Sequence, residues 1–200
     1  DAYLVIQSQD AAFGGNDLID LFGNRGNDIS IGGEGADRIM GGTFDDGRDL
    51  IFGDWATLDF TSYRNVSQDI VVANERLLIA NSISTDSAYG GDDWIDGGTG
   101  TNLISGGKGD DYVTAGAGNS VLAGDMVFFE RNLFNKLSMV HSVFPEGEGH
   151  DTIVGNIGHD LIIGGGGDDW IDGNEGDDQI FGDNGAAIYY RESARDGDMF

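Results

Sequence analysis

An isoleucine or valine recurs every nine residues over long stretches of this chain, two places after an aspartate and four after a glycine. Read back from Gly182, the nonapeptides GNEGDDQIF, GGGGDDWID, GNIGHDLII and EGEGHDTIV follow without a gap. The same frame recovers GNRGNDISI and GGEGADRIM (Gly23 to Met40), then GGTGTNLIS and GGKGDDYVT (Gly97 to Thr114). Positions seven to nine suit a minimal strand, whose period of two sends position eight to one face and its neighbours to the other. Position eight is Ile39, Ile95, Ile104, Val113, Ile153, Ile162, Ile171 and Ile180, the candidate core, and β-branched side chains fit that role. Glycines at positions one, two and four supply the positive φ and close backbone approach of a tight turn. The pattern predicts an all-β chain of short strands and glycine loops.

The repeats gather into three blocks, 13–54, 88–125 and 146–183, separated by non-repeating inserts at 55–87 and 126–145 and followed by a tail at 184–200. A longer period is superimposed. GDDWIDG occurs at Gly91 and at Gly167, and FGGNDLID at Phe13 aligns with YGGDDWID at Tyr89, both offsets being 76 residues. Each block closes on Gly-Asp: Gly53–Asp54, Gly124–Asp125 and Gly182–Asp183. In the first insert, DIVVANERLLIA places two apolar runs about Asn74–Glu75–Arg76, the pattern of a hairpin. The second, MVFFERNLFNKLSMV, suits a hairpin by analogy, although Phe129, Leu133, Leu137 and Val140 also fit a helical stripe. IYYRES in the tail reads as the start of a third insert. Both ends read as internal to a longer chain, with no signal peptide visible.

Composition narrows the function. Thirty-six acidic against 10 basic residues give a formal charge of −26, which disfavours nucleic acid and anionic membranes as partners. Hydrophobic residues at 39% and eleven phenylalanines weigh against disorder. There is no cysteine, hence no disulfide or thiolate metal site, and no apolar run reaches the ~20 residues of a membrane span. In the third block Asp160, Asp169 and Asp178 stand nine apart with no lysine or arginine near them, so they require another counter-charge.

These nonapeptides resemble the GGxGxDxUx repeat of the repeats-in-toxin, or hemolysin-type calcium-binding, family. The resemblance implies a parallel β-roll (a β-solenoid) in three stacked blocks with inserted hairpins, forming one elongated repeat region over 1–200. Two nonapeptides make a coil, and loop n stacks on loop n+2. Calcium takes six to eight oxygens from carboxylates and carbonyls, which two stacked loops can supply. The implied carboxylate ligands are Asp17, Asp28, Asp37, Asp49, Asp93, Asp111, Asp151, Asp160, Asp169 and Asp178, with the closing Asp54, Asp125 and Asp183. Implied loop donors, at positions one, three and five, are Gly32, Glu34 and Ala36; Gly106, Lys108 and Asp110; Gly155, Ile157 and His159; Gly164, Gly166 and Asp168; and Gly173, Glu175 and Asp177. Block two departs from the pattern, since Asn102 and Ser120 replace the aspartate. Calcium is expected between the Asp93 and Asp111 loops, and none between the Asn102 and Ser120 loops unless Asp125 serves them.

No GxSxG, HExxH, GxxxxGK[ST] or strand-linked GxGxxG is present, so no enzyme is expected. His150 and His159 fall on opposite edges of a coil, and with the isolated His141 read as ordinary loop or insert residues. Trp94 and Trp170, at outward position seven, are expected to pack under the inserts; a carbohydrate anchor is the alternative. By resemblance, such a chain passes through type I secretion machinery and folds outside the cell on calcium, as a structural, extender or adhesive segment with neighbouring repeats of the same chain as possible partners. The alternative is the carboxy-terminal secretion and folding module of an extracellular metalloprotease or lipase.

Overall fold

The computed structural model describes residues 5–7, 15–21, 28–42, 48–54, 56–59, 81–84, 90–131, 137–143 and 149–188. Their strands form three six-stranded sheets. The first is parallel and contains β2 (Leu18–Asp20), β4 (Arg38–Met40), β8 (Trp94–Asp96), β10 (Tyr112–Thr114), β14 (Thr152–Val154) and β16 (Trp170–Asp172), stacked in that order. The second, also parallel, stacks β3 (Ile29–Ile31), β5 (Leu50–Phe52), β9 (Leu103–Gly107), β11 (Val121–Asp125), β15 (Leu161–Gly165) and β17 (Gln179–Asp183). The chain alternates between them, one nonapeptide to each, so Tyr112 lies beside Trp94 and Leu122 beside Ile104. Stacking continues across both inserts: β4 pairs β8, and β10 pairs β14.

Position eight does what its periodicity predicts. Ile39, Ile95, Val113 and Ile153 of the first sheet meet Ile51, Ile104, Leu122 and Ile162 of the second in a core closed to solvent. Ile171 is only partly buried and Ile180 is 48% exposed, because no described coil covers the last one.

The inserts build a third layer. β1 (Val5–Gln7), β6 (Ala56–Asp59), β7 (Asn81–Ser84), β12 (Val127–Arg131), β13 (Leu137–Ser142) and β18 (Ala186–Ile188) form one antiparallel sheet in chain order. The second insert is thus a hairpin and not a helix: Phe129 opposes Val140, and both are buried. Leu133 lies outside the described residues, as do the runs about Asn74–Glu75–Arg76. The first insert's described arms, β6 and β7, do pair antiparallel. In the tail, Ala186–Ile188 adds to β13, and 189–200 lie outside the description.

The described residues of this layer pack on the second parallel sheet. Leu50, Phe52, Leu103, Val121, Ala123, Leu161 and Ile163, at positions seven and nine, meet Ala56, Val127, Phe129, Leu137 and Val140 in a second core. Phe52 and Phe129 lie with ring centroids 6.3 Å apart. Trp94 and Trp170 therefore do not pack under the described insert strands, since their sheet is not the one those strands cover. Trp94 stacks on Tyr112 at 5.9 Å with Arg38 over its ring at 4.4 Å, while Trp170 is 55% exposed.

Candidate calcium sites

Each coil has two glycine loops, one on each edge of the roll. The first edge, where the chain leaves the second parallel sheet, carries Asp17, Asp37, Asp93, Asp111, Asp151 and Asp169. The other carries Asp28, Asp49, Asn102, Ser120, Asp160 and Asp178. Along the first edge the carboxylates form a ladder. Asp37 Oδ1 accepts the Asp17 N–H at 2.7 Å, Asp93 that of Asp37 at 2.7 Å, and Asp111 that of Asp93 at 2.8 Å. Asp151 continues it to Asp111 at 2.8 Å and Asp169 to Asp151 at 3.0 Å. On the second edge Asp49 accepts from Asp28, Asp160 from Ser120 and Asp178 from Asp160.

This ladder uses one oxygen of each carboxylate. The other, Oδ2 of Asp37, Asp93, Asp111, Asp151, Asp160 and Asp169, is buried and accepts nothing from any described residue. Every one of these points at the position-one glycine that opens its loop and at the carbonyl of the next coil's corresponding residue. A Cβ on Gly53 would collide with Asp93 Oδ2 and the Gly106 oxygen, and one on Gly164 with Asp169 Oδ2 and the Gly182 oxygen. Gly32, Gly106 and Gly155 repeat this with Asp37, Asp111 and Asp160, and Gly173 abuts Asp178 Oδ2. Carboxylate and carbonyl oxygens thus converge on space that only glycine leaves open.

Burial is the leading reason these carboxyls resist ionisation. It pushes Asp93 and Asp151 up to about 8, with the nearby carboxylates of Asp54 and Asp125 respectively adding to it. Asp111 is driven well above the usual range, Asp160 to about 6, and Asp37 and Asp169 upward, again chiefly by burial. Ladder N–H bonds pull the other way and do not win.

The closing aspartates stand on the first edge, one residue after a position-one glycine. Asp54 Oδ2 accepts the Lys108 N–H of the next loop, and Oδ1 is buried and unpartnered. Burial raises Asp54 to about 7. Asp125 Oδ2 accepts the Gly166 N–H and lies near Asp151, while Asp183 is exposed near Asp169. Asp125 is therefore not placed to serve Asn102 and Ser120, which occupy the opposite edge.

Position five forms an outer ladder that the sequence reading missed. Asp92 accepts from Asp110, Asp110 from His150, and His150 Nδ1 from the Asp168 N–H at 3.0 Å. On the second edge Asn119 accepts from His159, and His159 Nδ1 from Asp177 at 2.8 Å. Short acceptors recurring at position five were its signal. At position three the Ile157 and Glu175 carbonyls accept the Gly118 and Gly158 N–H groups. Glu34 and Ala36 lie in the first-edge loop opened by Gly32, where the Ala36 N–H donates to Asn16 Oδ1.

Among the described residues no three carboxylate or imidazole side chains meet at one point, so carbonyls must complete any ion's shell. Files of buried carboxylate and carbonyl oxygens at strand spacing are the ligand type that hard cations take. The chain belongs to the RTX calcium-binding nonapeptide repeat family, whose profile matches residues 22–56, 87–122, 147–180 and 154–188, more than half of its length. No curated protein and no solved structure gives a match. Membership makes this a calcium-binding repeat segment of the kind carried by secreted bacterial proteins, in a family that is structural and not generally catalytic. The buried Oδ2 atoms and the glycine-only space beside them fit calcium. No helix among the described residues is long and apolar enough to cross a membrane.

Proposed function

We propose that the chain is a calcium-gated structural spacer, exported through type I secretion machinery and folding where calcium is abundant. The position-six aspartates and the closing Asp54, Asp125 and Asp183 hold the ions, with loop carbonyls completing each shell. One observation carries the reading: among the described residues seven carboxylate oxygens, the six Oδ2 atoms above and Asp54 Oδ1, are buried without a donor, an arrangement that opposes folding unless cations neutralise it. Calcium supplies that charge when bound. Because it binds the roll and not the unfolded chain, stability rises with its concentration.

A spacer role rests on repetition. β7 starts 76 residues after β1, and β7 pairs antiparallel with β12 as β1 does with β6. Tandem units of this kind extend by adding a strand to each of three sheets, at about 4.8 Å per coil. The test is circular dichroism in chelator and then in millimolar calcium or magnesium. Coil-like signal in chelator, β signal with calcium and little response to magnesium are expected. A β spectrum that survives exhaustive chelation at neutral pH sinks the proposal.

A further inference from the structure

On the second edge, block two departs from the aspartate rule in two successive loops, 97–102 and 115–120. In the first, Asn102 is wholly buried, and its Oδ1 accepts the Asp49 N–H at 3.3 Å, as an aspartate's would. Its other terminal atom is a donor instead of an anion. Nδ2 donates to the Gly97 carbonyl at 2.8 Å, and Gly97 is the position-one glycine of the same loop. The carboxamide thus turns a hydrogen onto its own loop's position-one carbonyl from the place where the aspartate loops hold an unpartnered Oδ2.

The second loop is altered in a matched way. Its position-six residue is Ser120, buried, whose Oγ accepts the Asn102 N–H at 3.2 Å. Position one is Ala115, buried in the central core. At Gly32, Gly106, Gly155, Gly164 and Gly173 a Cβ would collide with the loop's own Oδ2, whereas here a methyl is present and the carboxylate is gone. Two independent changes, an amide and a methyl, close the space that the other loops leave open.

We infer that the middle of the second edge is a metal-free rung. Asn102 replaces an ion by a neutral hydrogen bond, and Ala115 with Ser120 fills the next position, dividing that edge's calcium file into separate groups at Asp28–Asp49 and Asp160–Asp178. The coil from 97 to 123 then depends on calcium through its first-edge loop alone. This rests on the chain being calcium-loaded elsewhere.

The decisive experiment is a crystal structure in saturating calcium with anomalous data, alongside native mass spectrometry of the wild type, Asn102→Asp and the triple variant Asn102→Asp/Ala115→Gly/Ser120→Asp. The wild type should show ions along the first edge and none within 3 Å of Asn102 or Ser120, the coordination range being about 2.3–2.6 Å. Each variant should bind at least one ion more than the wild type, the triple variant more than the single one. An ion beside Asn102 or Ser120 in the wild type overturns the inference and leaves the calcium reading intact. An unchanged stoichiometry in both variants, with their calcium-induced β signal retained, also overturns it. Should both variants fail to fold, the wild-type map alone decides. A wild type that binds no calcium at all defeats the proposed function instead.

Discussion

Acidifying the calcium-free chain should make it fold better. The buried carboxyls of Asp93 and Asp151 sit at about 8 in the roll, against 3.8 for an ordinary aspartate. A raised carboxyl contributes stability that is fully present below the unfolded pKa and is lost as pH climbs toward the folded one. Between pH 7 and pH 5 the unfolded groups remain mostly ionised while the folded ones remain protonated. Each then favours the roll by roughly 2–3 kcal/mol over those two units. Asp54, at about 7, adds in the same direction. The assay is circular dichroism in chelator from pH 7 to pH 5, with sedimentation to confirm a monomer. Calcium-loaded protein should show the opposite trend, because protons and calcium compete for the same oxygens. A β signal in chelator that stays flat or falls on acidification would refute the reasoning, and so would parallel pH trends with and without calcium.

Asp93→Asn keeps the Oδ1 acceptor for the Asp37 N–H and removes the charge, so it should raise the calcium midpoint while easing folding in chelator with a stabilising osmolyte. Asp169→Ala should raise the calcium midpoint and lower cooperativity in a calcium titration, since Asp169 is one rung of a stack. Asp172→Ala removes only a local bond to the Asn174 N–H at 3.1 Å and should cost about 1 kcal/mol or less in the same titration. Phe129→Ala empties the layer beneath the insert sheet and should cost about 3–5 kcal/mol by urea denaturation in saturating calcium. Gly124→Ala, whose methyl would strike Asp151 Oδ2, should weaken calcium binding, whereas Gly182→Ala meets nothing within 4 Å and should leave the calcium midpoint unchanged.

The central core was legible because one position in nine carries it, and Ile39, Ile95, Val113 and Ile153 all fall there. The second core was legible too, but in a signal that was not read. Positions seven and nine are polar or mixed in WID, YVT and TIV, which lie on the open sheet, and mostly apolar in LIF, VLA and LII, which lie on the covered one. Alternation between successive nonapeptides thus names the face that the inserts cover, and it would have kept Trp94 and Trp170 out from under them. The aspartate file follows directly from spacing, whereas the side of the roll served by Asp125 does not. Placing it requires knowing that both inserts leave from the same edge. Asn102 illustrates a finer limit. Its lost charge is visible in sequence, but its bond to Gly97 depends on which amide atom turns inward, and that emerges only with the neighbouring carbonyl in place.

Placing every insert on one edge has a physical consequence. Gly53 and Gly124 stand beside Asp93 and Asp151, which close the same loops after 39 and 26 intervening residues respectively. A loop that elsewhere closes within one nonapeptide must here bring together distant ends, and closure entropy grows only slowly with length. The β6–β7 and β12–β13 hairpins reduce that cost by holding their own ends close. Asp54 and Asp125 then fix the junctions, each carrying a carboxylate to the next loop through Lys108 and Gly166. The composite loops therefore carry a closing carboxylate, Asp54 or Asp125, in addition to the position-six aspartate. That extra charge works against closure while the chain is calcium-free and favours ion binding once the loop has closed. Calcium binding and docking of the insert sheet meet at the same two Gly-Asp junctions.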